Sequence, residues 1–201
     1  MTLCAAAAIF SEPTSAADYT PAAVTLAEKY VALLGCPDEK INIKNVARVD
    51  GTNDKYFLQP YYVIGTNADL DCSGGSGAVK TQLIVVGTAP GNLRPSQEAG
   101  YIQQKSDLRI LPDLSSPFVF MDGQPRYLTS VYVKDGQLWA TGLDYDFPGD
   151  GMCCPSLAVT YRIELEKSMV KDDKGHIRNA NAWLFRPMGS YKKKTDSRPR
   201  Q

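Results

Sequence analysis

The dipeptide Asp135-Gly136 stands between two runs of β-forming residues, Arg126–Lys134 and Gln137–Leu143. A two-residue hairpin turn needs positive φ at its central positions, and Asp-Gly supplies this at little steric cost. Pairing of these runs as an antiparallel hairpin is therefore the firmest local constraint on the fold. The two-residue period continues beyond it. Leu157, Val159, Tyr161, Ile163 and Leu165 alternate with mostly polar neighbours, which predicts a strand with one core face. A turn at Lys171–Gly175 lets Ile177–Phe185, which carries Trp183, return as the last strand.

Upstream, Ile41, Ile43, Asn45, Ala47 and Val49 alternate up to an Asp50-Gly51 turn, and Val79–Val86 is β-branched enough for a strand. Tyr56–Ile64 is aromatic and β-branched, but Pro60 makes it an edge strand or two short ones. Residues 87–117 are rich in Gly, Pro, Ser and charge and are expected to be mostly loop. Only residues 21–34 carry a helical period. Val24, Ala27, Val31 and Leu34 form the expected buried stripe, Thr20 the N-cap, Pro21 the first helical position and Gly35 a left-handed exit. The expected fold is mainly β (α+β), with one N-terminal helix packed on an antiparallel, disulfide-stapled sheet or sandwich. A chain of 201 residues suffices for one such core.

Residues 1–17 are apolar and small, with Ser15 and Ala17 two apart, and are expected to be a signal peptide cleaved before Asp18. A basic stretch is missing at the start, so the true signal is expected to begin further upstream, the alternative being that this segment is only a disordered apolar tail. Removing this segment discards Cys4 and leaves Cys36, Cys72, Cys153 and Cys154. An even number of cysteines suits an oxidising compartment, periplasmic or secreted. Four cysteines allow three pairings. Pairing Cys36 with Cys72 leaves a vicinal bridge across a ~3.8 Å Cα spacing, against the ~5.5–6 Å of an ordinary disulfide. The two pairings that give Cys153 and Cys154 separate partners, Cys36 and Cys72, are therefore preferred, without a choice between them.

The segment Asp144–Ser156 holds Met152-Cys-Cys-Pro-Ser156 behind an Asp-Gly loop and resembles small secreted actinobacterial lipoproteins of the LppP/LprE type. The resemblance covers mainly residues 126–165, with a looser echo at Gly35-Cys36-Pro37 and Cys72. It implies an envelope protein and says little about activity. No convincing lipobox surrounds Cys4, so lipid anchoring does not carry over. A weaker internal likeness relates Val63–Asp71 with the strand at 79–86 to Ala140–Asp150 with the strand at 157–165.

Catalytic sets are missing from the pattern. The single histidine, His176, sits beside a turn with no adjacent ligand, and no Cys-x2-Cys spacing suggests zinc. Gly-x-Ser-x-Gly is absent, and the Gly-rich run at 71–77 lacks a P-loop lysine. Asp144, Asp146 and Asp150 suggest calcium, but EF-hand spacing puts Pro148 and Pro155 at ligand positions, leaving only a looser calcium loop as an alternative to solvated acids. No metal or cofactor is assigned. Tyr145 and Phe147 flank these acids, which makes Asp144, Tyr145, Asp146, Phe147 and Asp150 a candidate binding loop. Inward packing of the two rings is the plainer alternative.

Charge is divided unevenly. Residues 186–201 hold six basic residues and one acid, while residues 18–185 hold 16 basic and 20 acidic ones. An acidic body argues against nucleic-acid binding. The basic end, residues 187–201, is expected to be a disordered tail behind a single domain at 18–186. No apolar run reaches the ~18–20 residues of a membrane span. The expected function is a non-enzymatic envelope protein that binds a protein or polymer partner. The alternative is a carboxylate-dependent hydrolase of cell-wall or glycan material.

Overall fold

The computed structural model describes residues 18–50, 61–74, 78–88, 107–150, 154–171 and 177–192. The signal segment, Cys153, the 172–176 turn, residues 51–60 with Pro60, and most of the expected loop at 87–117 lie outside these residues. The fold is mainly β, with one helix packed against antiparallel sheets.

Helix α1 (Thr20–Leu34) lies on one face of a five-stranded sheet, and a second five-stranded sheet covers the other face. The first sheet contains β1 (Cys36–Pro37), β2 (Val46–Val49), β3 (Tyr61–Asp69), β4 (Lys80–Gly87) and β5 (Arg109–Ile110). The second contains β6 (Phe120–Asp122), β7 (Tyr127–Lys134), β8 (Gln137–Asp144), β9 (Leu157–Lys171) and β10 (Ile177–Lys192), in the order β6-β10-β9-β8-β7. All pairings are antiparallel except β6 with β10.

Strand β3 shows why the layers stack this way. Side chains alternate across a strand, and both faces of β3 are covered. Tyr62, Ile64 and Ala68 meet Ala23, Ala27 and Val31 of α1 in one apolar cluster. Tyr61 and Val63 join Leu128, Val131, Tyr161, Trp183 and Phe185 of the second sheet in the other. All nine residues of β3 are buried. The edge-strand expectation for Tyr56–Ile64 is thus corrected. The strand begins after Pro60 and is central, with β4 on one side and β1 and β2 on the other.

The outer edge of β4 is closed by side chains as well as backbone. Past β5, the Ser115 hydroxyl accepts the Val85 N–H at 2.9 Å and that of Ser116 accepts the Leu83 N–H at 3.1 Å. Both serines are buried, so these bonds replace a further strand and leave no open ladder there.

The Asp135-Gly136 turn forms as expected, with φ of 53° and 69° between β7 and β8. Other expectations shift. Thr20 is the first helical residue, not the cap; Tyr19 occupies the cap, and the Asp18 carboxylate takes the Thr20 N–H and hydroxyl, which holds the Asp18 pKa below its usual value. The buried stripe is Ala23, Ala27 and Val31, while Val24 and Leu34 are only half-buried, because the helix presents its small residues to the sheet. Gly35 has extended backbone at φ 178°, so no left-handed exit exists. A Cβ there would lie 2.4 Å from the Leu70 Cα, and close chain approach is what requires glycine. The first half of the 41–49 alternation is a 3-10 turn, Ile43–Asn45, held by the Asn42 side chain on the Lys44 N–H at 3.1 Å. Strand β10 runs on to Lys192, so residues 187–192 of the expected tail pair with β9, past an irregularity at Pro187–Gly189.

The preferred cysteine pairing is also overturned. Cys36 bonds to Cys72, with 5.2 Å between Cα atoms. Register explains it: β1 lies against the end of β3, Cys36 opposite Asp69, which brings Cys36 beside the turn that holds Cys72. The bridge stabilises one sheet rather than joining two. Its sequence separation of 36 residues corresponds to about 4 kcal/mol in the chain-entropy account. Cys154 is also disulfide-bonded, and the cysteines left for it, Cys4 and Cys153, lie outside the described residues.

The two sheets approach closely at Gly65. A Cβ there would sit 2.0 Å from Leu128 Cδ2 and 2.7 Å from Val131 Cγ2. Gly65→Ala is expected to cost roughly 1–3 kcal/mol by overpacking, read from urea unfolding. Leu128→Ala should cost less in the Gly65→Ala background than alone, since it removes the obstructing methyl.

Candidate functional site

The loop after β8 is built by its own acids. Asp144, the last residue of β8, accepts the Arg126 N–H at 3.0 Å on one carboxylate oxygen and the Tyr161 hydroxyl on the other. Burial, then the bond to Asp144 and its charge, push the Tyr161 pKa well up. Asp150 closes the loop. One of its oxygens accepts the N–H groups of Asp146 (2.7 Å) and Ser156 (2.8 Å), and the other accepts the Ser156 hydroxyl (2.7 Å). The Asp146 carbonyl in turn accepts the N–H groups of Gly149 and Asp150. Short polar side chains bonding nearby backbone are what fix such loops.

Both Asp144 and Asp150 therefore serve as acceptors for protein donors. Neither is a simply solvated acid, and using either as a calcium ligand would strip donors from the loop. Among the described residues, no group of three or more His, Cys, Asp or Glu side chains is placed to hold a metal ion.

The aromatic pair sits on this frame. Arg126 Nε donates to the Tyr145 hydroxyl at 3.2 Å, and the Tyr145 and Phe147 rings lie 5.1 Å apart, tilted by 38°. Phe147 is 67% exposed, which overturns inward packing for that ring. Tyr145 is half-buried. Arg126, which positions Tyr145, was not singled out from sequence. The contact crosses from the start of β7 to the end of β8 and leaves no local signal.

A second polar group lies at the stapled end of the first sheet. Asp38, just after β1, donates its N–H to the Asn67 carbonyl at 3.1 Å and accepts the Tyr127 hydroxyl at 2.8 Å. Burial and the bond to Asp38 push the Tyr127 pKa up to about 12. Asp69 accepts the N–H groups of Asp71 (3.1 Å) and Gly74 (2.8 Å), which shapes the turn that carries Cys72. Asp38 and Asp69 line a cleft of about 550 Å³ beside the disulfide. Each is already engaged in holding the fold, and neither resembles the free pair of acids that glycoside hydrolysis uses. The two segments alike in sequence form two hairpins, β3–β4 and β8–β9, and each has an aspartate carboxylate gathering backbone N–H groups in its loop.

No family model matches this chain, and no curated protein or solved structure matches it either.

Because the folded state raises the Tyr127 pKa, it favours the protonated phenol. That stabilisation is complete below about pH 10, the ordinary tyrosine value, and is lost as pH rises towards about 12. The stability difference between the wild type and Tyr127→Phe is expected to fall across this window in urea melts. The alkaline tyrosinate titration should lose its late step near pH 12 in the variant.

Proposed function

We propose that this chain is an exported, non-enzymatic protein of the cell envelope that binds a protein or polymer partner through the Tyr145–Phe147 loop. The observation that carries this reading is Phe147, 67% exposed on a loop whose backbone is fixed by Asp144 and Asp150. A large ring held out by a rigid loop loses little conformational freedom on contact, and aromatic anchors of this kind dominate binding energy at interfaces. Asp144 and Asp150 at this loop, and Asp38 and Asp69 beside the disulfide, are committed to holding the fold, which favours recognition over turnover at these places.

Export is supported by the disulfide between Cys36 and Cys72, both exposed, because exposed thiols stay reduced in an ordinary cytosol. The signal-like residues 1–17 and the Cys-Cys-Pro-Ser resemblance point the same way. No helix among the described residues is long and apolar enough to cross a membrane.

The test has two arms. Mass mapping of the native protein without reduction should find Asp18 at the N-terminus and a Cys36–Cys72 crosslinked peptide. Full-length chains with all five thiols free would refute export. Affinity capture from envelope extract, with wild type and Phe147→Ala side by side, should recover a partner with the wild type alone. Equal recovery by both would remove the loop from the interface. Phe147→Ala is expected to keep the wild-type unfolding midpoint, because so exposed a ring contributes little to the core.

A further inference from the structure

Strand β3 has a gap along one edge. Strand β2 pairs with it over residues 61–64 and β1 over residues 68–69, and Thr66 lies between them. Beside this interval, the C-terminal half of α1 and the chain after β1 enclose a cleft of about 340 Å³. That size falls at the lower end of small-molecule sites, roughly 300–1,000 Å³. Its buried part is Val31, 2% exposed, and Thr66, 3% exposed, with Pro37 and Ile41 as apolar walls.

Two polar features of this cleft bear on what it could hold. Thr66 is 3% exposed and lines the cleft, and its hydroxyl has no hydrogen-bond partner among the described residues, so the cleft is the route by which that oxygen meets a partner from outside. At the mouth, Glu28 and Glu39 face a single cation, Lys40, and neither carboxylate forms a hydrogen bond or ion pair among the described residues. The cleft thus offers a polar atom at depth, apolar walls and a net negative mouth.

The geometry points to a binding site for a small aliphatic amine that carries a second hydrogen-bonding group, such as an amino alcohol. The ammonium would meet Glu28 and Glu39, the alkyl body would cover Val31 and Ile41, and the distal hydroxyl would partner Thr66. This site shares no residue with the Tyr145–Phe147 loop, so the two readings stand or fall separately.

The test titrates the oxidised, full-length mature chain with 6-aminohexan-1-ol, hexylamine and hexanoate, following backbone amide shifts. Saturable shifts confined to residues 28–41 and 64–68 are expected with the amino alcohol at roughly millimolar concentration, weaker ones with hexylamine and none with hexanoate. Glu28→Gln with Glu39→Gln, both on the surface, should weaken both amines roughly three- to tenfold. Thr66→Val should abolish the preference for the amino alcohol while leaving hexylamine unchanged. The proposal is overturned by hexanoate binding as well as the amines, by unchanged affinity in the glutamine variant, or by no saturable shift in the wild type.

Discussion

How closely β3 can approach β7 decides whether the two sheets become one molecule. Gly65 permits the approach, since any side chain there would collide with Leu128 and Val131. Two residues on, Asn67 converts the approach into a directed contact. Its side-chain amide donates to the Leu128 carbonyl at 2.9 Å and accepts the Leu128 N–H at 2.9 Å. A buried side chain so plays the part of a strand neighbour across the interface. Thr81 adds a hydroxyl bond to the Pro125 carbonyl at 2.8 Å. Apolar burial supplies most of the cohesion between the layers, but it is non-directional. The Asn67 pair fixes the register, because any slip would leave a buried amide and two backbone groups without partners.

The same contact explains which parts of the fold the sequence reveals. Local chemistry announces the β7–β8 hairpin through Asp135-Gly136, and the alternation from Leu157 to Leu165 marks β9. Helix α1 is legible from its period, although its contact stripe is set by what the sheet admits. Ala23, Ala27 and Val31 are buried against it, while Val24 is half-buried beside them. The central position of β3 is hidden, because Gly65-Thr66-Asn67 interrupts an otherwise apolar run. Gly65 and Asn67 answer partners far along the chain, and such demands have no period. The disulfide is hidden for the same reason. Adjacency of Cys36 and Cys72 depends on β1 pairing with β3, a pairing of two residues that no propensity signals.

At the β8–β9 loop, the sequence showed where the unusual chemistry lies but not what its acids do for the backbone. Three aspartates in seven residues suggest a metal or a solvated acidic patch. Two of them instead gather backbone N–H groups and the hydroxyls of Ser156 and Tyr161. A carboxylate can accept several hydrogen bonds at once, so one side chain can hold a turn that has no regular ladder. The ring of Phe147 stands outward from this frame, 67% exposed, with Tyr145 as its ring neighbour. The loop's order thus comes from its carboxylates and not from burial of its largest side chain.

The staple lies where the fold is otherwise thinnest. Strand β1 has two residues, both exposed, and a pair that short holds no register of its own. Beyond the disulfide, the Asp38 bonds to Asn67 and Tyr127 and the packing of Ile41 against the α1 cluster secure the segment that follows. That segment carries Pro37, Glu39 and Ile41 along one side of the α1 cleft. A covalent tie between Cys36 and Cys72 adds nothing to the apolar core, which closes without it through Gly65 and Asn67. What it does is keep the cleft wall at a fixed distance from β3. Crosslink and core therefore have separate roles: the core sets the architecture, and the crosslink shapes the surface beside α1.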